Sequence, residues 1–493
     1  MGLNIGGHVE KVNGKELSYS EFVKRYLEKN QPVVLTGLMD DWKACRDWVY
    51  ENGNPNLHYF SAHFGKSRVQ VADCGSKEFT DQKRVEMSVS EFIDHWLKLP
   101  KEDGSYSNRQ GNDQTVLYLK DWHFVKEYPD YVVYTTPLFF RDDWLNIYLD
   151  GHPMHRDPHN YQKTNEINCS DYRFVYMGAK GTWTPLHADV FRSYSWSANV
   201  CGKKQWHLLS PSQCHLVFDR NMKNSVYDIF ADVPEKKFPG FREAIWLECT
   251  QERNEIIFVP SGWYHQVHNL EDTISINHNW FNAYNLSWVW ELLVKDYNEA
   301  KEYIEDIRDI CDDFEGLCQR NLAANTGMNL LDFFICISRF SFANLIQLYH
   351  LVRNYSNFTR DPLPRIQYLI INLTCLCKVA LKMESMESLS GNEATLVGVL
   401  EVIGQSEFLD LCIALNGTYE TVIGPTSDIN YSLGNNLVEM DFMEDYDFKV
   451  SNPKDLITVI ECVLNKVGCF SSNKNINLFS KLSDIKSQWL CKR

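Results

Sequence analysis

Thr182-Trp183-Thr184-Pro185-Leu186-His187-Ala188-Asp189 and, further along, Gly262-Trp263-Tyr264-His265 are the stretches that decide how this chain is read. In an extended strand residues i and i+2 point to the same face, so His187 and Asp189 reach one point while Ala188 turns away. So short a spacing cannot encircle an ion, and a third ligand has to come from an adjacent strand. His265 qualifies, placed at the end of the strand-like run Ile256-Ile257-Phe258-Val259-Pro260. Two histidines and one carboxylate on one face of an octahedral metal leave three positions open, which is the ligand set of non-haem Fe(II) oxygenases.

The pattern stays extended on both sides. Tyr194 to Val200 is rich in aromatic and small residues, Cys201 to Leu209 runs to a stop at Ser210-Pro211, and Asn269 to Trp280 reads as a turn and a strand. Together these segments resemble the JmjC family of Fe(II)- and 2-oxoglutarate-dependent oxygenases over roughly residues 15–285. The resemblance implies a mixed α+β fold. Its centre is a double-stranded β-helix (cupin-like) barrel, with N-terminal flanking helices and an α-helical C-terminal region. The chain divides accordingly into a flanking region 1–114, a catalytic core 115–284, a helical region 285–420, and an acidic loop and tail with a short helix over 421–493.

Residue by residue, the resemblance implies His187, Asp189 and His265 as Fe(II) ligands and Lys204 as the group holding the distal carboxylate of 2-oxoglutarate. It implies Thr184 as a hydrogen-bonding partner of the same carboxylate, Asn279 as a polar neighbour of the cosubstrate, and Tyr118 as an upstream tyrosine contact. Ser197 stands where many members carry Asn. Asn254-Glu255 replaces a Gly-Asp or Gly-Glu turn, a change that Asn tolerates because it accepts left-handed backbone. Lys203 and Lys204 are adjacent, so only one can enter the barrel, and a buried lysine favours a ligand carboxylate as its partner. His207, His268 and His278 read as structural. His152, His155 and His159 sit in a Pro-rich irregular stretch that reads as a solvated loop rather than a second metal site.

Composition bounds the rest. The 493 residues are 44% hydrophobic and 13% aromatic, enough for a sizeable core. A net charge of -16 argues against DNA binding by phosphate neutralisation and fits a basic protein substrate, which the resemblance implies is a histone tail or a translation termination factor. The 15 cysteines include no CxxC pair, so they read as reduced thiols in an intracellular setting, nucleus or cytoplasm. No signal peptide opens the chain, Gly6 stands where myristoylation wants Ser or Thr, and no apolar run approaches the length of a membrane span.

Along the chain, an amphipathic helix is expected over Ser18–Lys29, a buried strand over Pro32–Gly37, a short strand over Val69–Asp73 and a helix opened by a Ser88/Glu91 capping box. Residues 101–114 read as a polar loop. From Asn285 the period becomes helical, with Ile304, Ile307, Cys311, Phe314 and Cys318 on one face and acidic residues off it. Further helices are expected at 329–352, 365–383 and 393–415, an acidic loop at 424–447, and a last helix from Pro453 to Ile460. These helices can support the barrel or form a homodimer interface.

The resemblance implies Fe(II), with 2-oxoglutarate and O2 as cosubstrates, and hydroxylation of a carbon on a basic side chain of a protein. Small JmjC-only proteins of plants are described as histone arginine demethylases, and their animal relatives as lysyl hydroxylases acting on a translation termination factor. An N-methyl carbon once hydroxylated is lost as formaldehyde, whereas a chain carbon keeps its hydroxyl. Histone methyl-arginine demethylation is the first expectation and lysyl hydroxylation the alternative; the residues do not separate them. A small-molecule oxygenase and a catalytically silent scaffold are the readings of other classes, and the four filled positions weigh against the scaffold.

Overall fold

Val33-Val34-Leu35 and Ile256-Ile257-Phe258-Val259 are continuous apolar runs, and every one of these side chains is buried, as in strands covered on both faces. Around them a computed structural model describes residues 2–99, 116–152, 171–386, 389, 397–398, 402, 405–426 and 449–473. The expected polar loop 101–114, the histidines 155 and 159, and residues 427–447 of the expected acidic loop lie outside the described residues. The chain forms two compact units, one of Met1–Pro137 with Asp171–Trp280 and one of Leu138–Ser170 with Phe281–Arg493.

The first unit is built on fourteen strands: β1 (Asn4–His8), β2 (Glu10–Asn13), β3 (Val33–Thr36), β4 (Arg68–Glu78), β5 (Asp81–Ser88), β6 (Leu117–Trp122), β7 (Arg173–Gly178), β8 (Trp183–His187), β9 (Tyr194–Cys201), β10 (Lys204–Leu209), β11 (Ile245–Gln251), β12 (Ile256–Val259), β13 (Tyr264–Asn269) and β14 (Thr273–Trp280). One sheet runs β1-β11-β10-β13-β8 and the other β2-β3-β12-β9-β14-β7-β6-β4-β5. Strands β7 to β14 thus supply four neighbours to each sheet, the arrangement of a double-stranded β-helix. Val34, Ile257 and Val259 from one sheet pack with Trp206, Leu208, Cys249 and Val267 from the other, closing one end of the barrel.

Local expectations are met where the chemistry is local. Ser18 and Ser88 both make capping boxes, with Glu21 and Glu91. The helix after Ser18 changes to a π-helical turn over Val23–Leu27. The strand at Val69 runs on to Glu78 and forms a hairpin with β5, longer than its apolar core suggested.

In the second unit the helices Leu330–Arg353 and Leu363–Met383 are long and apolar enough to cross a membrane, contrary to the expectation from apolar runs. Their most apolar windows are 78% and 67% buried against the rest of the structure, as in core helices of a folded domain. The single helical face through Ile304–Cys318 is corrected: one helix ends at Tyr303, a 3₁₀ stretch covers Glu305–Ile310, and a new helix runs Phe314–Thr326. Asp313 sets the start of the new helix, its carboxylate capping it by accepting from the Gly316 amide at 3.0 Å. Of the helix expected over 393–415, Ser406 onward lies in the helix Ser406–Val422, whereas Val397–Gly398 is extended and pairs with Lys449–Val450. The final helix spans Pro453–Asn473.

Gly202 turns the chain from β9 into β10 at φ +73°, and a Cβ there would meet the Asp272 carbonyl oxygen at 2.1 Å. Gly202→Ala is therefore expected to cost at least about 1 kcal/mol of stability, checked by urea unfolding of both proteins.

Candidate metal centre

Strand β8 ends at His187, and β13 pairs with it antiparallel so that His265 lies directly opposite His187. His265 therefore opens a strand after the Pro260–Trp263 turn instead of closing the preceding one. Asp189 follows in extended backbone (φ -61°, ψ 152°), which keeps its side chain on the side of His187 although the strand has ended. Phe191 and Arg192, at φ 54° and 46°, then bend the chain away.

Ligand atoms of His187, Asp189 and His265 all lie within 4.8 Å of one another, close enough for one metal ion. The two imidazole rings are 4.3 Å apart. Each ring has its Nδ1 at a backbone carbonyl two residues earlier, His187 at Pro185 (2.8 Å) and His265 at Trp263 (3.1 Å). Donation of Nδ1–H to those carbonyls fixes the tautomer and leaves both Nε2 lone pairs for a metal. Ser195 donates to Oδ2 of Asp189 at 2.7 Å. Burial, with the neighbouring His265 adding to it, lowers the His187 pKa to about 4, so the imidazole stays neutral at physiological pH.

These groups open on a cavity of about 420 Å³ lined by all eight candidate residues: His187, Asp189, His265, Lys204, Thr184, Asn279, Tyr118 and Ser197. On β10, Lys204, Trp206 and Leu208 alternate inward. Lys203 faces out and pairs with Glu252 at 3.2 Å, whereas Lys204 is 3% exposed. Lys204 donates to the Tyr118 hydroxyl at 3.0 Å. It lies 5.7 Å from that ring's centroid, so the ammonium sits off the hydroxyl edge rather than over the face. Burial pushes its pKa down to about 7. Asn279 donates to Ser193 Oγ at 3.2 Å. Ser197 is paired across β9 and β14 with Asn277, which also lines the cavity, so a carboxamide stands beside the position where Ser replaces Asn.

Asn279 came from the resemblance, and strand alternation from it reaches Asn277, two residues earlier on β14 and also in the cavity lining. Lys120, Asp121 and Arg84 line the cavity too; Lys120 follows from the alternation that places Tyr118, whereas Asp121 is hidden by a bulge in β6 between Leu119 and Trp122. The bulge puts Asp121 at φ 57° and its carboxylate on Tyr176 (2.6 Å) and Arg84 (2.9 Å). Tyr172, Phe174 and Tyr176, alternate residues leading into and along β7, add an aromatic wall. The structural histidines are as expected: His268 stacks on Trp183, His278 is buried against Tyr134 and Trp196, and His207 packs on Phe230.

The profile of the cupin-like domain family matches residues 19–285. The chain is 57% identical to "Arginine-specific demethylase JMJ20" of Arabidopsis thaliana over 460 residues, which is 93% of this chain and 97% of the relative. The chain is a JmjC protein of the cupin-like family. Other relatives include "2-oxoglutarate and iron-dependent oxygenase JMJD4" of Danio rerio, 41% identical over 67% of this chain and 75% of the relative. "Bifunctional arginine demethylase and lysyl-hydroxylase psr-1" of Caenorhabditis briggsae is 27% identical over 58% and 65%. The JmjC resemblance drawn from the HxD and its distant histidine is thereby established.

Lys204 carries a burial penalty that has a pH signature. Its charged form is disfavoured in the fold, so the destabilisation is complete below about pH 7 and is relieved as pH rises from there toward the usual lysine value of 10.5. Lys204→Met is expected to melt higher than the parent in ligand-free protein near pH 7, with the gap narrowing toward pH 10. Melting curves of both proteins across that range decide it.

Proposed function

We propose that this chain is an Fe(II)- and 2-oxoglutarate-dependent protein oxygenase whose first substrate class is methyl-arginine in a basic segment such as a histone tail. The observation that carries the reading is the convergence of His187, Asp189, His265 and Lys204 on one cavity. The donor set suits Fe(II): two imidazoles with Nε2 available and one carboxylate, gathered at one cavity with room for further ligands. In this reading His187, Asp189 and His265 hold the iron. Lys204 and the Tyr118 hydroxyl receive the distal carboxylate of 2-oxoglutarate, with Thr184, Ser197 and Asn279 along its path. Bound iron and 2-oxoglutarate supply the oxidising chemistry, consuming O2 and releasing CO2 and succinate. The protein orients the target carbon and excludes water.

A basic side chain as target is supported by the aromatic wall of Tyr172, Phe174 and Tyr176, since ring faces favour a cation. Demethylation at arginine is favoured by the 57% identity to a protein named for that activity. Lysyl hydroxylation, for instance on a translation termination factor, is the second reading, favoured by the name of the more distant psr-1 relative. No disulfide forms among the described residues, which suits a reducing intracellular compartment.

The test is anaerobic loading with Fe(II) and 2-oxoglutarate, addition of O2, and mass spectrometry of peptides bearing methyl-arginine or unmodified lysine. Demethylation removes about 14 Da per methyl group with formaldehyde, and hydroxylation adds about 16 Da. His187→Ala and Asp189→Ala are expected to abolish succinate formation with the circular dichroism spectrum unchanged; turnover in either variant would remove the metal assignment.

A further inference from the structure

The cavity holds a second buried ammonium. Lys120 lies two residues after Tyr118 on β6, on the same inward face, and is 3% exposed. Its Nζ donates to Gln82 Oε1 at 2.7 Å. Gln82, 2% exposed, donates in turn to the Trp183 carbonyl at 3.1 Å, which fixes the amide so that its oxygen faces the lysine. The ammonium stands 5.2 Å from the Tyr118 ring centroid, and Tyr118 also receives Lys204.

The neighbouring charges are already committed. Asp121 accepts from Tyr176 through Oδ1 and from Arg84 through Oδ2. Asp81 faces Arg84 at 3.4 Å. Among the described residues no carboxylate lies within ion-pair distance of Lys120 or of Lys204. An ammonium has three donors, and Lys120 directs one to Gln82. Two nearly dry cations lining one cavity without counter-ions are costly in the empty protein, and an anionic ligand relieves that cost. Burial, with the Arg84 charge adding to it, holds the Lys120 pKa down at about 8.

We propose that Lys120 is a second anchor for the dicarboxylate cosubstrate, acting beside Lys204, so that the cavity meets a dianion with two buried lysines. This rests on the cosubstrate reading given above. Lys120 is a positioning residue for the cosubstrate and takes no part in the oxidation. It has a consequence that a merely structural lysine would not have: removing it relieves the empty protein while weakening the ligand.

Calorimetric titration of 2-oxoglutarate into full-length protein loaded with Mn(II), which blocks turnover, tests this together with ligand-free melting. Lys120→Met is expected to weaken 2-oxoglutarate binding at least about tenfold, the loss of one charge-assisted hydrogen bond. Its ligand-free melting temperature should equal or exceed the parent's, and Lys120→Arg should bind within about threefold of the parent. Should the methionine variant fold poorly, Lys120→Gln removes the charge while keeping a donor for Gln82, and the same tenfold loss is expected. Binding within about twofold in the Lys120 variants, with Lys204→Met weakened tenfold, overturns the second anchor and leaves the cosubstrate site standing. Unchanged binding in both Lys120→Met and Lys204→Met overturns the cosubstrate site itself. A Lys120→Met protein that melts lower, with no recovery of binding in Lys120→Arg, makes the residue structural and also overturns the anchor.

Discussion

His265 sits opposite His187 because β13 and β8 pair in one register, and the chemistry of the cavity depends on that pairing. Side chains alternate along a strand, so a slip of one residue would turn His265 outward and bring Tyr264 or Gln266 in. The same strand fixes the other end of the site. On its far side β13 pairs with β10, with Leu208 opposite His265 and Asn269 opposite Lys204. Lys204 is therefore four residues from the level of the metal ligands, roughly 13 Å along the strand, on the same face. Its long side chain shortens that distance, and the interval left suits a short dicarboxylate. One strand register sets both the juxtaposition of His187 with His265 and the interval from that pair to Lys204.

Electrostatics sharpens the selection. Lys204 and Lys120 are both nearly fully buried, each bonded to neutral oxygen, Tyr118 in one case and Gln82 in the other. Asp121 is spoken for by Arg84 and Tyr176, and its carboxyl stays below its usual range: burial pushes it up, but Arg84 and the tyrosine outweigh that. A lone buried polar group is normally a liability, and proteins keep such liabilities where function needs them. A cavity in which two buried ammoniums have no carboxylate in contact discriminates by charge before shape. A neutral analogue would leave both ammoniums dry and unpaired.

How much of this was legible in the sequence follows from the range of the interactions. The HxD pair, the inward choice of Lys204 over Lys203 and the Ser88/Glu91 cap each depend on residues a few positions apart, and each stands in the structure. The buried runs at Val33 and Ile256 declared themselves by composition. What stayed hidden depends on distant partners. Strands β1 and β2 are largely exposed and exist because β11 and β3 offer edges. Asp121 points into the cavity through a bulge that breaks the alternation by which inward residues are recognised. Ile304 and Cys311 share a helical spacing, yet Asp313 restarts the helix between them and Cys318, a choice between two local hydrogen-bonding options that periodicity does not register.

The helical unit carries a further constraint of this long-range kind. The chain enters it twice, at Leu138 and at Phe281. Just inside those entries, the Trp144 amide donates to the Phe281 carbonyl at 2.9 Å and Asn282 donates to the buried Asp142 carboxylate at 3.1 Å. Asp142 also accepts from the Trp144 indole at 2.8 Å and from the Tyr368 hydroxyl. Trp144 itself stacks on Phe340 at 4.5 Å. The two entry points are thus fastened to each other and to two core helices, across a sequence separation of 140 residues between Asp142 and Asn282. Everything between them, the eight barrel strands included, is a loop whose ends this buried cluster clamps. Closing so long a loop has an entropic cost that grows only slowly with its length. The buried Asp142 network therefore carries only a modest closure penalty despite the 140 residues that separate Asp142 from Asn282.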